Sequence, residues 1–136
     1  MTSHGLWIGG FAAALALALA ACGGGGSGNG TPTGPSETPG PIAATITITA
    51  AGAVSPADVP VPVGSRVTFT NNHTASHFMQ SDPHPAHTLC PGLNSVGTLP
   101  PGQSRTTGNL STARVCTYHD HDDETNTSLQ GTIRVQ

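Results

Sequence analysis

Val59-Pro60-Val61-Pro62-Val63-Gly64-Ser65-Arg66-Val67-Thr68-Phe69-Thr70-Asn71 is the stretch that sets the fold class. Valines recur at every second position from 59 to 63, which is the period of an extended strand and not of a helix. The prolines between them carry no amide hydrogen, so this strand belongs at a sheet edge. Gly64-Ser65 turns the chain, and Arg66–Asn71 follows with Val67 and Phe69 on one face and threonines on the other. Working upstream, Thr45–Thr49 alternates threonine with Ile46 and Ile48. Working downstream, Leu99-Pro100-Pro101-Gly102 is a turn and Gln103–Leu110 a weaker, polar strand, with further strands at Val115–His119 and Thr132–Val135. Beyond the N-terminal apolar run no segment shows a helical period. Short strands punctuated by turns predict an all-β, Greek-key sandwich.

One interval departs from this rhythm. Asn72–Asn94 holds His73, His77, Met79, His84, His87 and Cys90 among prolines and polar turns. It reads as a long irregular segment, and such segments in small domains usually carry function.

The N-terminal part reads differently. Phe11–Ala21 is almost entirely alanine and leucine, the length of a signal-peptide core and too short to span a bilayer. Leu19-Ala20-Ala21-Cys22 closes it and resembles the bacterial lipobox, although the preceding residues include His4 and no lysine or arginine. Residues 1–21 are therefore expected to be a lipoprotein signal peptide, and Cys22 the lipidated first residue of the mature chain. Residues 22–41, rich in Gly, Pro, Ser and Thr, cannot bury a core and read as a disordered tether. Residues 42–136 are left as one small domain. The resulting expectation is a domain anchored to a membrane at the cell envelope, in the periplasm or outside the cell.

Charge is sparse: four Lys and Arg together against seven Asp and Glu, in 136 residues. No basic stripe exists for nucleic acid. Six of the seven histidines instead fall between His73 and His121, and Asp120, Asp122, Asp123 and Glu124 lie among them.

With Cys22 assigned to lipid, Cys90 and Cys116 remain in an exported domain, where paired cysteines usually bridge. A disulfide is the favoured reading, with a thiolate metal ligand at Cys116 as its rival.

Neutral imidazole offers a lone pair suited to copper or zinc. In an extended His119-Asp120-His121, both imidazoles share one face and Asp120 takes the other. Ser81–His87 presents His84 and His87 on proline-stiffened backbone. Asp82, Asp120, Asp122 or Asp123 could accept the second ring N–H of a ligand and fix its tautomer. His77, His119 and His121 are the first expected metal ligands, with His84 and His87 completing the site or forming an adjacent one. His73 reads as solvated, Met79 as packing, and Asp122–Glu124 as a solvated loop, since calcium loops need spaced carboxylates and a glycine.

Asn71-Asn72 followed after four residues by His77 resembles the step by which cupredoxins deliver their first copper histidine. Leu129-Gln130-Gly131-Thr132-Ile133 is similar to that family's closing strand, which follows a Met-x-Gly step. Ser81–His87, Leu99–Ser104, Tyr118–His121 and Gly131–Val135 together resemble a group of bacterial cupredoxin-like lipoproteins carrying SDPHPxH and YHDH. The resemblance implies a plastocyanin- or azurin-type fold and a copper cofactor. It also exposes two departures: Leu129 stands at the axial methionine position and Asp120 near the thiolate position. Without soft sulfur, nitrogen donors favour Cu(II), with Zn(II) possible.

A copper-binding module for handling or delivery at the envelope is the leading functional expectation. It would meet a redox or copper-handling protein whose identity the sequence does not give. A type 1-like electron-transfer site through Cys116, or a disulfide-stapled interaction module without metal, are the alternatives. No proton shuttle separate from the ligands and no second domain point to an enzyme.

Overall fold

The computed structural model describes residues 37–136. The segments expected to be a signal peptide (1–21), a lipidation site (Cys22) and a tether, up to residue 36, lie outside the described residues.

Alternation of apolar and polar side chains builds nine strands: β1 (Ile42–Ile48), β2 (Val54–Ser55), β3 (Asp58–Val61), β4 (Arg66–Asn71), β5 (His77–Ser81), β6 (Gly97–Leu99), β7 (Ser104–Thr106), β8 (Arg114–Asp120) and β9 (Gly131–Val135). They form two sheets, in the orders β2-β1-β4-β7 and β3-β9-β8-β5-β6. β1 runs parallel to β4 and β3 parallel to β9, and the other pairings are antiparallel. The only helical elements among the described residues are single 3₁₀ turns at Leu93–Ser95, His121–Asp123 and Thr127–Leu129. The all-β sandwich expected from the sequence is the fold.

Ile46, Ile48, Val67 and Phe69 from one sheet meet Val61, Met79, Tyr118 and Ile133 from the other. Phe69 and Tyr118 pack edge to face across the core, ring centres 5.2 Å apart, the arrangement that aromatic quadrupoles favour. The Tyr118 hydroxyl is buried with no hydrogen-bond partner among the described residues. Burial, followed by the negative charge of Asp58, pushes its ionisation above the usual tyrosine range. Gly131 lets β9 pass here: a Cβ at that position would run into the Tyr118 hydroxyl and lie 2.7 Å from the carbonyl oxygen of Ala57.

β3 is indeed an edge strand, tied to β9 by its ladder and by Arg134 donating to Asp58. That hydrogen bond holds the exposed Asp58 carboxyl below its ordinary range. The alternation seen in the sequence runs to Val63, but the strand ends at Val61 and Val63 is exposed. The polar strand expected over Gln103–Leu110 contracts to Ser104–Thr106; Thr107 still bonds Val67 of β4, and Gly108 and Leu110 then bond Gly92 and Ser65 in loops.

The larger correction concerns Asn72–Asn94, which is not wholly irregular. It contains β5, an interior strand paired with both β6 and β8. Its signal was hidden because its flanks are polar: His77, Gln80 and Ser81 are all buried beside Met79. Residues 38–41, read as the end of the tether, bond to the domain. Thr38 and Gly40 hydrogen-bond the Asn109 side chain, Gly40 accepts from the Arg66 side chain, and Pro41 accepts from the Arg66 backbone.

Cys90 and Cys116 are joined in a disulfide, with Cα atoms 5.8 Å apart. It fastens the segment between β5 and β6 to β8. Closing a loop of 26 residues stabilises such a chain by about 3 kcal/mol.

Candidate metal centre

The site grows from two neighbouring strands. β5 and β8 pair with Met79 opposite Asp120, Gln80 opposite His119 and Ser81 opposite Tyr118. Side chains alternate along a strand, so Tyr118 and Asp120 point toward the partner sheet while His119 points away from it. His119 is nevertheless only 3% exposed, because the segment after β5 brings His84 and His87 against it. His121, just past the strand end, joins from the same side and rests edge-on against Phe78. One nitrogen from each of His84, His87, His119 and His121 lies within 4.8 Å of the other three. An ion with metal–nitrogen bonds of about 2.0 Å needs tetrahedral donors roughly 3.3 Å apart. A small inward movement of the rings would achieve that.

The hydrogen bonds say which nitrogen each ring can offer. A carboxylate or carbonyl oxygen can only accept, so the ring nitrogen facing it carries the proton. His119 donates from Nδ1 to Asp82 at 2.6 Å, leaving Nε2 as a lone pair. His87 donates from Nδ1 to the Ser81 carbonyl at 2.7 Å, again leaving Nε2. His84 Nε2 stands 2.7 Å from the Glu124 carboxylate, an ion-pair contact at the more exposed rim of the cluster. The His87 Nε2 lies 2.9 Å from Nδ1 of His121. Two of the four rings, His87 and His119, are thus oriented by hydrogen bonds to oxygens outside the cluster, the arrangement that supports metal-bound imidazoles, and a third faces a carboxylate. Nε2 of His119 is buried with no hydrogen-bond partner among the described residues. Leaving a buried acceptor unpaired costs about 1–3 kcal/mol, and a bound cation would satisfy it.

The backbone holds this geometry firmly. His87 adopts φ +49°, a left-handed conformation uncommon outside glycine, although histidine takes it more readily than most side chains do. Its carbonyl accepts from both Ser81 Oγ and the Asn94 amide, while Asn94 Oδ1 accepts from the Ser81 backbone. Cys90 ends the segment at the disulfide.

His77 does not join this cluster. It sits on the other side of β8, where Nδ1 meets Asp120 Oδ2 at 2.6 Å and Nε2 meets Nδ1 of His73 at 2.9 Å. The physical reason is the two-residue strand period: His119 and Asp120 are successive, so a ring that reaches one carboxylate cannot reach the neighbouring imidazole. His73, read as solvated, is half-buried and stacked on His77 with ring centres 5.1 Å apart. Asp82 lies beside His119, and Asp120 beside His77. Asp122 receives no ring N–H; its own backbone amide bonds Asp120 at 3.2 Å. Glu124, read as part of a solvated loop, instead stands 2.7 Å from His84 Nε2. Its distance from His84 in sequence left no signal to find it by.

Sulfur is not available to either group. Cys116 is bonded to Cys90, which removes the thiolate alternative, and Met79 is fully buried in the core. Leu129 lines the cleft beside His77 and Asp120, and leucine cannot coordinate. A copper site built on cysteine and methionine therefore does not fit these residues. An ion held by nitrogen does, at the buried lone pair of His119.

Fold and site together define a cupredoxin-like β-sandwich bearing an all-imidazole cluster. Solved structures agree on the fold. A purple cupredoxin from Nitrosopumilus maritimus superposes with a TM-score of 0.55 and 24% identity, over 68% of this chain and 99% of its own. Oxidised plastocyanin from Dryopteris crassirhizoma gives 0.53 and 20% over the same shares. A point variant of amicyanin in its reduced state gives 0.52 and 16%, over 74% and 87%. No family model and no curated protein matches the chain.

Proposed function

We propose that this chain is a copper-binding module of the cell envelope, holding one ion through His84, His87, His119 and His121. The observation that carries the reading is the buried, unpartnered Nε2 of His119, aimed into three other imidazoles whose outer nitrogens are mostly committed to oxygens. Four neutral nitrogens without sulfur suit Cu(II), which binds such sites more tightly than Zn(II) does. The cupredoxin neighbours support copper over zinc. Lipidation at Cys22 would tether the domain to a membrane, and its role there is to buffer or deliver copper to a protein partner.

Metal analysis of the purified full chain, with absorption and electron paramagnetic resonance spectra, tests this. The expected result is a pale Cu(II) complex with nitrogen hyperfine structure and no intense visible thiolate band. His119→Gln combined with His84→Ala should abolish that signal. A chain whose thermal stability ignores added Cu(II) would leave only a disulfide-stapled interaction module, because a ligand specific to the native state must raise it.

A further inference from the structure

We propose that the end of the sandwich where the chain enters is a docking face for an anionic lipid bilayer, and that it turns the histidine end away from that bilayer. The inference rests on the reading of Cys22 as a lipid anchor. It does not depend on whether the histidines hold copper.

Apolar exposure is concentrated there. Among the described residues the large hydrophobic side chains left exposed are Ile42 at 56%, Val63 at 48% and Val115 at 49%. Scattered singly they would need no explanation, but strand pairing puts all three at one end. Ile42 is opposite Arg66, the first residue of β4. Val63 lies in the turn from β3 to β4, its amide donating to Gln136 just past β9. Val115 follows Arg114 at the start of β8 and is opposite Arg134. The chain arrives at the same place: Thr38 and Gly40 bond the Asn109 side chain, and Gly40 and Pro41 accept from Arg66. Cys22 and Glu37 are fifteen positions apart, so a bilayer anchored at Cys22 is at most about 50 Å of chain away. Tethering over such a length gives an effective concentration of about a millimolar, at which a small patch suffices to dock.

Charge is divided the same way. Arg66, Arg114 and Arg134 stand at the entry end, against the carboxylates of Glu37 and Asp58. Asp58 neutralises Arg134. The side chains of Arg66 and Arg114 donate to the carbonyls of Gly40 and Leu89, and neither pairs with a carboxylate among the described residues. The far end of β8 lies about 20 Å along the strand. It carries Asp120, Asp122, Asp123 and Glu124, and none of the four arginines. A bilayer rich in anionic headgroups therefore attracts the first end and repels the second. Exposed aliphatic side chains beside arginines suit the headgroup boundary, where the former enter the acyl region and the latter meet phosphates. Docked in this way, the domain presents His121 and the imidazoles around it to the aqueous side.

Nitroxide labels on the full chain test the orientation, one on Ala113→Cys at the entry end and one on Thr125→Cys at the histidine end, both exposed positions. Mass spectrometry of Cys22 records the anchor. The chain is then mixed into vesicles of phosphatidylcholine alone, or of equal parts phosphatidylcholine and phosphatidylglycerol. On the mixed vesicles the label at 113 should be shielded from a water-soluble relaxant and reached by a lipid-dissolved one, while the label at 125 stays in water. On phosphatidylcholine alone both should stay in water. Arg114→Gln should lower the docked-to-free ratio about five-fold, and Val63→Ser/Val115→Ser should abolish docking, with the lipid on Cys22 intact in both. A lipid-bearing chain that binds the mixed vesicles with both labels equally open to water overturns the docking face and leaves the anchor standing. A chain that carries no lipid on Cys22 and stays in solution overturns the anchor reading, and this proposal with it.

Discussion

At the scale of single residues, orientation decides more than identity. Asp82 never touches the proposed ion, yet it fixes which nitrogen His119 presents. Asp82→Asn should lower Cu(II) affinity by about 10–100-fold, the usual effect of losing such a support, while the unfolding midpoint of the metal-free chain stays put. A competition titration against a chelator of known affinity reads this directly. Tyr118 offers the converse case, a polar atom whose loss should help. Removing its unpartnered hydroxyl in Tyr118→Phe is expected to raise stability by about 1 kcal/mol in urea unfolding. Gly131→Ala should cost about 3 kcal/mol, because the new methyl meets the Tyr118 ring and the Ala57 backbone together. Tyr118→Phe should not rescue it, since the ring carbon at 2.5 Å and the carbonyl remain. His73 shows where single-residue reading fails: nothing in the sequence says that Asn71 would hold its backbone against His77.

At the scale of elements, the apolar alternations were legible and the polar strand was not. Ile46 and Ile48, Val67 and Phe69, and Val59 and Val61 announce β1, β4 and β3, because each faces a core on one side only. β5 conceals itself: His77 and Ser81 share the inward face of Met79 and are buried although polar, His77 against Asp120 and Ser81 bonded to His87 and Cys90, so no apolar alternation marks the strand. The alternation of His119 and Asp120 could be foreseen from strand geometry. Which cluster His77 would enter could not, since that depends on the register of β5 against β8. The disulfide connects these elements, and its role extends beyond stability. Cys90→Ser/Cys116→Ser should lose about 2–5 kcal/mol in denaturant. It should also weaken Cu(II) binding, because the segment bearing His84 and His87 is no longer fastened to the strand bearing His119. If affinity is unchanged in a variant that is less stable, the segment is held by Ser81 and Asn94 alone.

At the scale of the whole molecule, folding and metal binding should be thermodynamically linked. Copper at 100 times its dissociation constant would add about 2.7 kcal/mol to the native state. For a domain of this size that corresponds to a rise in Tm of roughly 10–20 °C. Calorimetric scans with and without Cu(II), and again after a strong chelator, would show the gain and its reversal. The sandwich, its edge strand and its density of histidines were readable from the chain, and the partition of those histidines into two groups was not. That partition has a consequence for how the protein can change. His119, Asp120 and His121 feed opposite sides of one ribbon, so deleting a single residue ahead of them would trade acid for imidazole on both sides simultaneously. Point replacements can tune either side alone, whereas any shift in reading along that ribbon must ruin the pair as a unit.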